Sequence, residues 1–341
     1  MAKTQNKQSK NKQSRSQKDN KSSKSRKDKA KKKPVKKYKV RNWSDYNESL
    51  VQRGSLDVWI DENALKNWKA ERNGKRGAQP IYSDLAIQLT LQFGQVFRQK
   101  LRQTEGLIRS CFKLMNIDLE VPDYSTLSRR SADLQVKLIK NPKESVALVI
   151  DSSGLKVYGE GEWKVRQHGY SKHRTWRKIH LALTPDGELR AVDLTTNSVS
   201  DSNAFSSLVE QETAGIDKIA ADGAYDKKKV YETCQKREIK QIAIPPSINA
   251  KIWQHGNSHA PPHPRDVNLR LIRKTSRRSW KEQVGFHIRS LSETAIFRFK
   301  TIFGDRLNAR KLANQTTEVI IKASILNKMR MLGMPESYLA A

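Results

Sequence analysis

Apolar residues recur along this chain with two different periods, and the switch between them marks its organisation. Order is expected from about Trp43. The stretch LVQRGSLDVWI, from Leu50 to Ile60, sets a Gly-Ser pair before an alternating apolar run and predicts a short strand or turn. DENALKNWKAERNGKRG then has a helical pattern that stops in its Gly/Asn-rich end. SDLAIQLTLQFGQVFRQK places Leu85, Leu89, Phe93, Val96 and Phe97 on one helical stripe, with Ser83 as its N-cap. TEGLIRSCFKLMN is a second amphipathic helix. YSTLSRRSADLQVKLI begins a third, entered at Pro122 and capped by Asp123 or Ser125.

After Asn141-Pro142 the period changes. Val146 to Ile150 is an unbroken apolar run ending in Asp151, the pattern of a strand buried on both faces. RTWRKIHLALTPDGELRAVDLTTNSV reads as two strands turning at Pro185-Asp186-Gly187. A helix capped by Asp201 and ending at Gly215 follows. IDKIAADGAYD is another apolar strand, ending in Asp222. Next come a helix capped by Asp226 and a strand stopped by Pro245-Pro246. Asp193, in an alternating strand, is expected to be exposed. Ser247 to Arg278, rich in Pro, His and Arg, is expected to be a loop. Helical patterns cover about Phe286 to Phe303 and Thr316 to Leu332. A meander followed by alternating helices and strands predicts an α/β fold, a mixed sheet with flanking helices.

Charge adds a partner to this picture. The 341 residues carry a net charge of +31, and nucleic acid is the first partner to consider, ahead of anionic membrane surfaces or the ribosome. Residues 1–41 hold 18 Lys/Arg and 2 Asp, and almost no large apolar side chain. Such a segment cannot offset its chain entropy by burial and is expected to be disordered. It is either a phosphate-binding arm or a solubilising tail. The remaining 300 residues are still at +15. The chain therefore divides into a basic tail at 1–41, a helical module at 42–140 and an α/β domain at 141–341. In the module, Ser125, Thr126, Arg129 and Arg130 open a helix that reads either as the second helix of a DNA-binding helix-turn-helix or as part of a plain three-helix packing module. No apolar stretch is long enough to span a bilayer and no signal peptide begins the chain, so no membrane is expected and the chain reads as cytoplasmic. Cys111 and Cys234 match no zinc spacing and are expected to be buried thiols.

Three acids stand out by placement. Asp151 and Asp222 each end an apolar run, and Glu293 lies in a helical segment near the C-terminus. Carboxylates at the ends of buried strands are costly unless paired or bound to a cation, and hard oxygens of this kind suit Mg²⁺. Turn residues are the plainer reading of both aspartates. His180 reads as a core histidine. His255, His259 and His263 have helical zinc spacing, but Pro261, Pro262 and Pro264 argue against a helix there. No Walker-type Gly-rich loop supports ATP-driven chemistry.

At about 100° per residue, Phe286, Arg289, Glu293 and Lys300 fall on a stripe roughly 60° wide, opposite Leu291, Ala295, Phe299 and Ile302. This series matches the signature Y-x2-R-x3-E-x6-K, with phenylalanine in place of tyrosine. Together with VPDYSTLSRR, WRKIHLAL, IAADGAYD and ILNKMRMLGMPES, it makes the chain resemble the DDE transposases of bacterial insertion sequences, in the insertion-sequence-five family. The resemblance covers Trp43 to the C-terminus. It implies a ribonuclease H-like core with Asp151, Asp222 and Glu293 as catalytic metal ligands for Mg²⁺ (or Mn²⁺). It also implies Arg289 and Lys300 as DNA-backbone contacts, with Phe286 beside them. Trp176 and Arg174 either line the DNA path or, for Trp176, fill the core. The implied activity is strand cleavage and transfer on double-stranded DNA, at terminal inverted repeats and target, by a homo-oligomer such as a dimer in the nucleoid. A nuclease of the same fold, a binding-only repressor and a ribosome-associated protein are the alternatives.

Overall fold

The computed structural model describes residues 38–72, 74, 76–77, 79–157, 176–254 and 261–340. Arg174, His255 and His259, and the basic tail up to residue 37, lie outside the described residues. Two compact units are present. In the smaller, β1 (Tyr38–Val40) pairs antiparallel with β7 (Ser337–Leu339), Tyr38 opposite Leu339. The tail expected to be disordered through residue 41 thus ends in a paired strand.

Among the described residues, the larger unit, Asn42–Glu336, begins with six helices: α1 (Trp43–Gln52), α2 (Leu56–Trp59), α3 (Glu62–Lys66), α4 (Asp84–Val96), α5 (Leu101–Leu114) and α6 (Tyr124–Arg130). Of the strand or turn expected over Leu50–Ile60, a turn at Arg53-Gly54 separates α1 from α2, and the apolar run after it is helical rather than extended. Trp59 is buried, and its indole N–H donates to the Arg53 carbonyl at 2.8 Å; the single turn of α2 brings both about. The Ser83 hydroxyl caps α4 through the Ala86 N–H, as its position predicts, and Asp123 caps α6 through the Ser125 and Thr126 N–H groups. Leu89 and Phe93 are buried, whereas Leu85 is exposed at the open end of the stripe. The third helix is shorter than its pattern suggests and stops at Arg130.

Among the described residues, the sheet has five strands in the order β4–β3–β2–β5–β6. β2 (Ser145–Lys156), β3 (Trp176–Leu183) and β4 (Leu189–Thr196) form the antiparallel meander, turning at Pro185-Asp186-Gly187. β5 (Gly215–Ala221) and β6 (Gln241–Ala243) run parallel to β2. Right after the meander comes α7 (Asp201–Glu210), and α8 (Lys228–Lys236) links β5 to β6. This mixed order is compatible with a ribonuclease H-like fold. One sheet face buries Leu148, Ile150, Ile219 and Ala221 with Phe205 and Tyr231 of α7 and α8. The other buries Val149, Leu181 and Leu194 with Phe299 and Val319, from α11 (Ser290–Phe303) and α12 (Leu312–Leu332). Ile321, Ile325 and Met329 of α12 also join the core of the N-terminal helices.

Four expectations change here. Asp201 does not cap α7, because Ser200 holds the N-cap position; α7 also ends at Glu210, and Gly215 opens β5. Asp226 does not cap α8 either. Its carboxylate accepts from the Arg265 guanidinium at 2.7 and 3.2 Å, a buried ion pair seated on the Trp253 ring. Asp193 is half-buried, opposite His180 across β3 and β4. The loop expected over Ser247–Arg278 contains α9 (Pro264–Lys274), followed by α10 (Arg277–Gln283). Pro264 occupies the first helical position, where its missing N–H costs nothing, and His263 caps through Nδ1.

Helices α4 and α5 approach closely at Gly94, where an added Cβ would meet Thr104 Oγ1 at 2.6 Å and Cγ2 at 3.2 Å. Thr104 is buried and its hydroxyl is tied to the Lys100 carbonyl, so it cannot turn away freely. Gly94→Ala should therefore destabilise the protein by about 1–3 kcal/mol in urea unfolding. In the Thr104→Ala background the same change should cost much less, since the clashing atoms are gone.

Candidate active site

Strand pairing brings the two aspartates to one end of the sheet. β2 and β5 are parallel neighbours with Ile150 opposite Ala221, so the next residue on each strand is an aspartate. Asp151 lies within β2, which continues to Lys156 in its pairing with β3, while Asp222 lies just past the end of β5. Asp222 Oδ1 accepts from the Ala224 N–H at 2.9 Å and caps the 3-10 turn Gly223–Tyr225. The turn reading and the functional reading of Asp222 are thus both compatible with its geometry.

Glu293 sits in the first turn of α11, and Arg289, just before that helix, links it to the sheet. Arg289 Nη1 is 3.3 Å from Asp151 Oδ2, and its Nη2 donates to Glu293 Oε1. Ser292 Oγ lies 2.8 Å from the same Asp151 oxygen. Lys300, two turns further on, donates to Ser153 Oγ of β2 at 2.8 Å. The structure therefore brings Asp151, Arg289, Glu293 and Lys300 together on one sheet face, with Asp222 at the adjoining strand end. Sequence reading missed Ser292 and Ser153, since nothing local marks a serine as the partner of a residue far away in the chain.

Phe286 is placed differently from the expected common stripe. Residues Phe286–Arg289 wind as a 3-10 turn rather than an α-helix, so the 100° step does not hold across them. Phe286 is only 9% exposed and lies against Trp280, Ala220 and Ala243. The turn is set by Gly285 at φ 59°, a left-handed conformation that glycine adopts without penalty. From β5, Lys218 reaches this corner and donates to the Val284 carbonyl at 2.6 Å. At the other end of α11, the Arg98 guanidinium donates to the Thr301 and Ile302 carbonyls at 2.6–2.9 Å, satisfying groups that a helix end leaves open. Sequence analysis missed both anchors, although an isolated Gly before a helical run is a usable signal for such a corner.

The electrostatics of the cluster are lopsided. Burial, then the charges of Asp151 and Asp201, hold the Asp222 carboxyl above the ordinary carboxylate range; the Ala224 N–H and Arg289 act against this. Burial first, then Asp201, Asp151 and Asp222, also raise the neighbouring Tyr225 hydroxyl, which has no hydrogen-bond partner among the described residues. Asp201 itself accepts from Lys178 at 3.2 Å and lies 3.9 Å from Nδ1 of the fully buried His180. His180 is a core residue as expected, bonded through Nε2 to Thr195, and burial lowers its pKa. Trp176 is half-buried on β3. Both cysteines are free and buried.

The donor set is three carboxylates, the hard oxygen chemistry that a divalent cation such as Mg²⁺ or Mn²⁺ requires. Among the described residues, no three His, Cys, Asp or Glu stand close enough together to hold a metal ion.

The candidate DNA-contact residues of α6 are engaged locally. The Ser125 and Thr126 hydroxyls donate to Asp123 at 2.6 and 2.8 Å, and Arg129 donates to Thr126 Oγ1. Arg130 binds the Tyr82 carbonyl and Asp84, joining α6 to α4. Residues 115–123 separate α5 from α6. Among the described hydrogen bonds and ion pairs, none joins these α6 residues to the three carboxylates.

Two family models described as transposase DDE domain match the chain, one over residues 51–160 and the other over 142–328. The second covers more than half of the chain and spans Asp151, Asp222 and Glu293. No helix among the described residues is long and apolar enough to cross a membrane.

The raised Asp222 carboxyl carries a stability signature. A folded-state pKa above the unfolded value contributes stability at low pH that is lost as pH rises through the folded value. At neutral pH the ionised group is therefore a net cost. In the presence of a chelator, Asp222→Asn should raise the thermal midpoint at pH 7, and the gain should shrink as pH falls below the ordinary carboxylate range. Thermal unfolding followed by circular dichroism at several pH values checks this.

Proposed function

The chain belongs to the transposase DDE-domain family, a family of metal-dependent DNA-cleaving enzymes, and from this premise we propose that it cuts and joins DNA at the ends of its own mobile element. The observation that carries the proposal is the juxtaposition of Asp151 and Asp222 on parallel neighbouring strands, with Glu293 tied to Asp151 through Arg289. The branch suggested is the one with the Y-R-E-K signature, supported by Arg289, Glu293 and Lys300 and departing from it at Phe286.

In this reading Asp151, Asp222 and Glu293 would hold Mg²⁺ or Mn²⁺. Such a cation supplies Lewis-acid activation of the attacking oxygen and neutralises charge building on the phosphate. The chain's own residues do the rest. Arg289 and Lys300 bind phosphate oxygens and orient the backbone for in-line attack. Lys300 rests on Ser153 of β2, which fixes its approach to the sheet end. Phe286 acts from the core by seating the 3-10 turn that carries Arg289. A phenyl group there cannot donate a hydroxyl to phosphate, so any such contact must come from another residue.

The reaction consists of two phosphoryl transfers. Water breaks the phosphodiester at the element end and leaves a 3′-hydroxyl and a 5′-phosphate. That hydroxyl then attacks a target phosphodiester, forming one new bond and releasing one 3′-hydroxyl. No nucleotide cofactor is required. The substrate is double-stranded DNA, both terminal inverted repeats and target, handled by a homo-oligomer, most simply a dimer, in the nucleoid. The body's charge of +15 outside the first 41 residues supports DNA as the partner. The α6 residues Ser125, Thr126, Arg129 and Arg130 belong to the DNA-binding part of the proposal. Of the two arginines, Arg129 is the more open to DNA, because Arg130 is held by α4.

The test uses duplexes carrying the inverted repeats that flank the reading frame. Glu293→Gln should lose strand cleavage by about 10²-fold or more while keeping end binding in gel-shift assays. Wild type should join pre-cut ends to target DNA. Cleavage without joining would identify a nuclease of this fold. End binding without cleavage in Mg²⁺ or Mn²⁺ would identify a repressor, and tighter binding to RNA than to DNA ends would identify a ribosome-associated protein.

A further inference from the structure

We propose that Arg289 is the internal counter-ion of the carboxylate cluster, and that a phosphate of bound DNA draws it away, so that DNA and divalent-cation binding are coupled. The proposal rests on the reading of Asp151, Asp222 and Glu293 as metal ligands.

The geometry points to an exchangeable cation. The Arg289 guanidinium lies between Asp151 on the sheet and Glu293 on α11, touching one oxygen of each. It therefore sits where a shared cation would draw the two carboxylates together. The two ends of the bridge differ. The Asp151 side chain is 15% exposed and further supported by Ser292, whereas the Glu293 side chain is 61% exposed. The bridge is thus open to solvent, and to a ligand, at its Glu293 end.

Charge and shape then select the ligand that can open it. A divalent cation arriving while Arg289 remains in place meets a like charge and competes for the same oxygens. A phosphodiester meets no such obstacle, since it accepts two parallel bonds from the planar guanidinium fork, the geometry for which arginine is suited. Once Arg289 turns to phosphate, Glu293 and Asp151 lose the counter-ion they share. A dication is then the replacement that the site requires. The anchors at both ends of the helical segment, Lys218 on Val284 and Arg98 on the Thr301 and Ile302 carbonyls, keep the backbone in place while the Arg289 side chain moves. Linkage makes the effect reciprocal: DNA raises cation affinity by the factor by which the cation raises DNA affinity.

The experiment measures Mn²⁺ binding to the full-length protein by the loss of the free-ion electron paramagnetic resonance signal, with and without a short blunt duplex. Uptake by the duplex alone is subtracted. Wild type should gain Mn²⁺ affinity by roughly 5–150-fold on adding duplex, the usual range of such coupling. Arg289→Gln should bind Mn²⁺ tightly without DNA, and added duplex should change little. Arg289→Lys, too short to bridge both carboxylates, should fall between. If Arg289→Gln does not fold by circular dichroism, the duplex effect in wild type decides. Mn²⁺ affinity that depends on Asp151 but is indifferent to duplex and to Arg289 overturns the coupling and leaves the metal-site reading standing. Mn²⁺ binding unchanged by Asp151→Asn overturns that reading itself.

Discussion

Parallel pairing of β2 with β5 is the constraint on which the site depends. With Ile150 opposite Ala221, the chain places an acid on each of two neighbouring strands at one end of the sheet. This arrangement is costly, because burial and the neighbouring Asp151 charge disfavour the ionised Asp222 carboxylate. The fold tolerates it because the residues leading up to each acid are among the best buried in the protein. Leu148, Val149 and Ile150 on β2 and Ile219, Ala220 and Ala221 on β5 are each fully buried. Apolar burial on both faces of the sheet holds the acids in place, and the strain concentrates at Asp222.

The third acid reaches the cluster by a different route. Glu293 is positioned by what fixes the ends of its helical segment rather than by pairing. At the start, Gly285 turns the chain, Lys218 holds the turn to β5, and Phe286 seats it against Trp280. At the end, Arg98 brings a guanidinium from the α4–α5 junction to the open carbonyls of α11. The N-terminal helices therefore brace the helix that carries Glu293, and α12 shares its apolar side chains with both cores. Arg289 then completes the cluster electrostatically, supplying one positive charge among three negative ones.

Much of this was legible in the sequence where local pattern and burial agree. The run Val146–Ile150 and the turn at Pro185-Asp186-Gly187 define the meander, because a strand buried on both faces and a Pro-Asp-Gly turn have few other readings. Ser83 and Asp123 were legible as caps for the same reason. Asp201 and Asp226 were not, since their partners Lys178 and Arg265 lie 23 and 39 residues away in sequence, and a distant cation can outbid a local N–H. α9 was hidden by its prolines, one of which opens the helix rather than breaking it. In the candidate site, the i,i+4 relation of Arg289 to Glu293 follows from spacing, but the bridge to Asp151 depends on how α11 lies on the sheet. Phe286 departs from its expected face because one left-handed glycine and a 3-10 turn reset the helical phase, which no periodic template anticipates.

Asp151, Asp222 and Glu293 are proposed to share a divalent cation when the protein holds DNA. Anomalous diffraction at the manganese edge, from crystals of the protein–DNA complex grown in Mn²⁺, tests it most directly. A manganese peak is expected within bonding distance of carboxylate oxygens of Asp151 and Asp222, with Glu293 turned from Arg289 towards it and Arg289 on a phosphate. A peak elsewhere, with Arg289 still bridging Asp151 and Glu293, would contradict it.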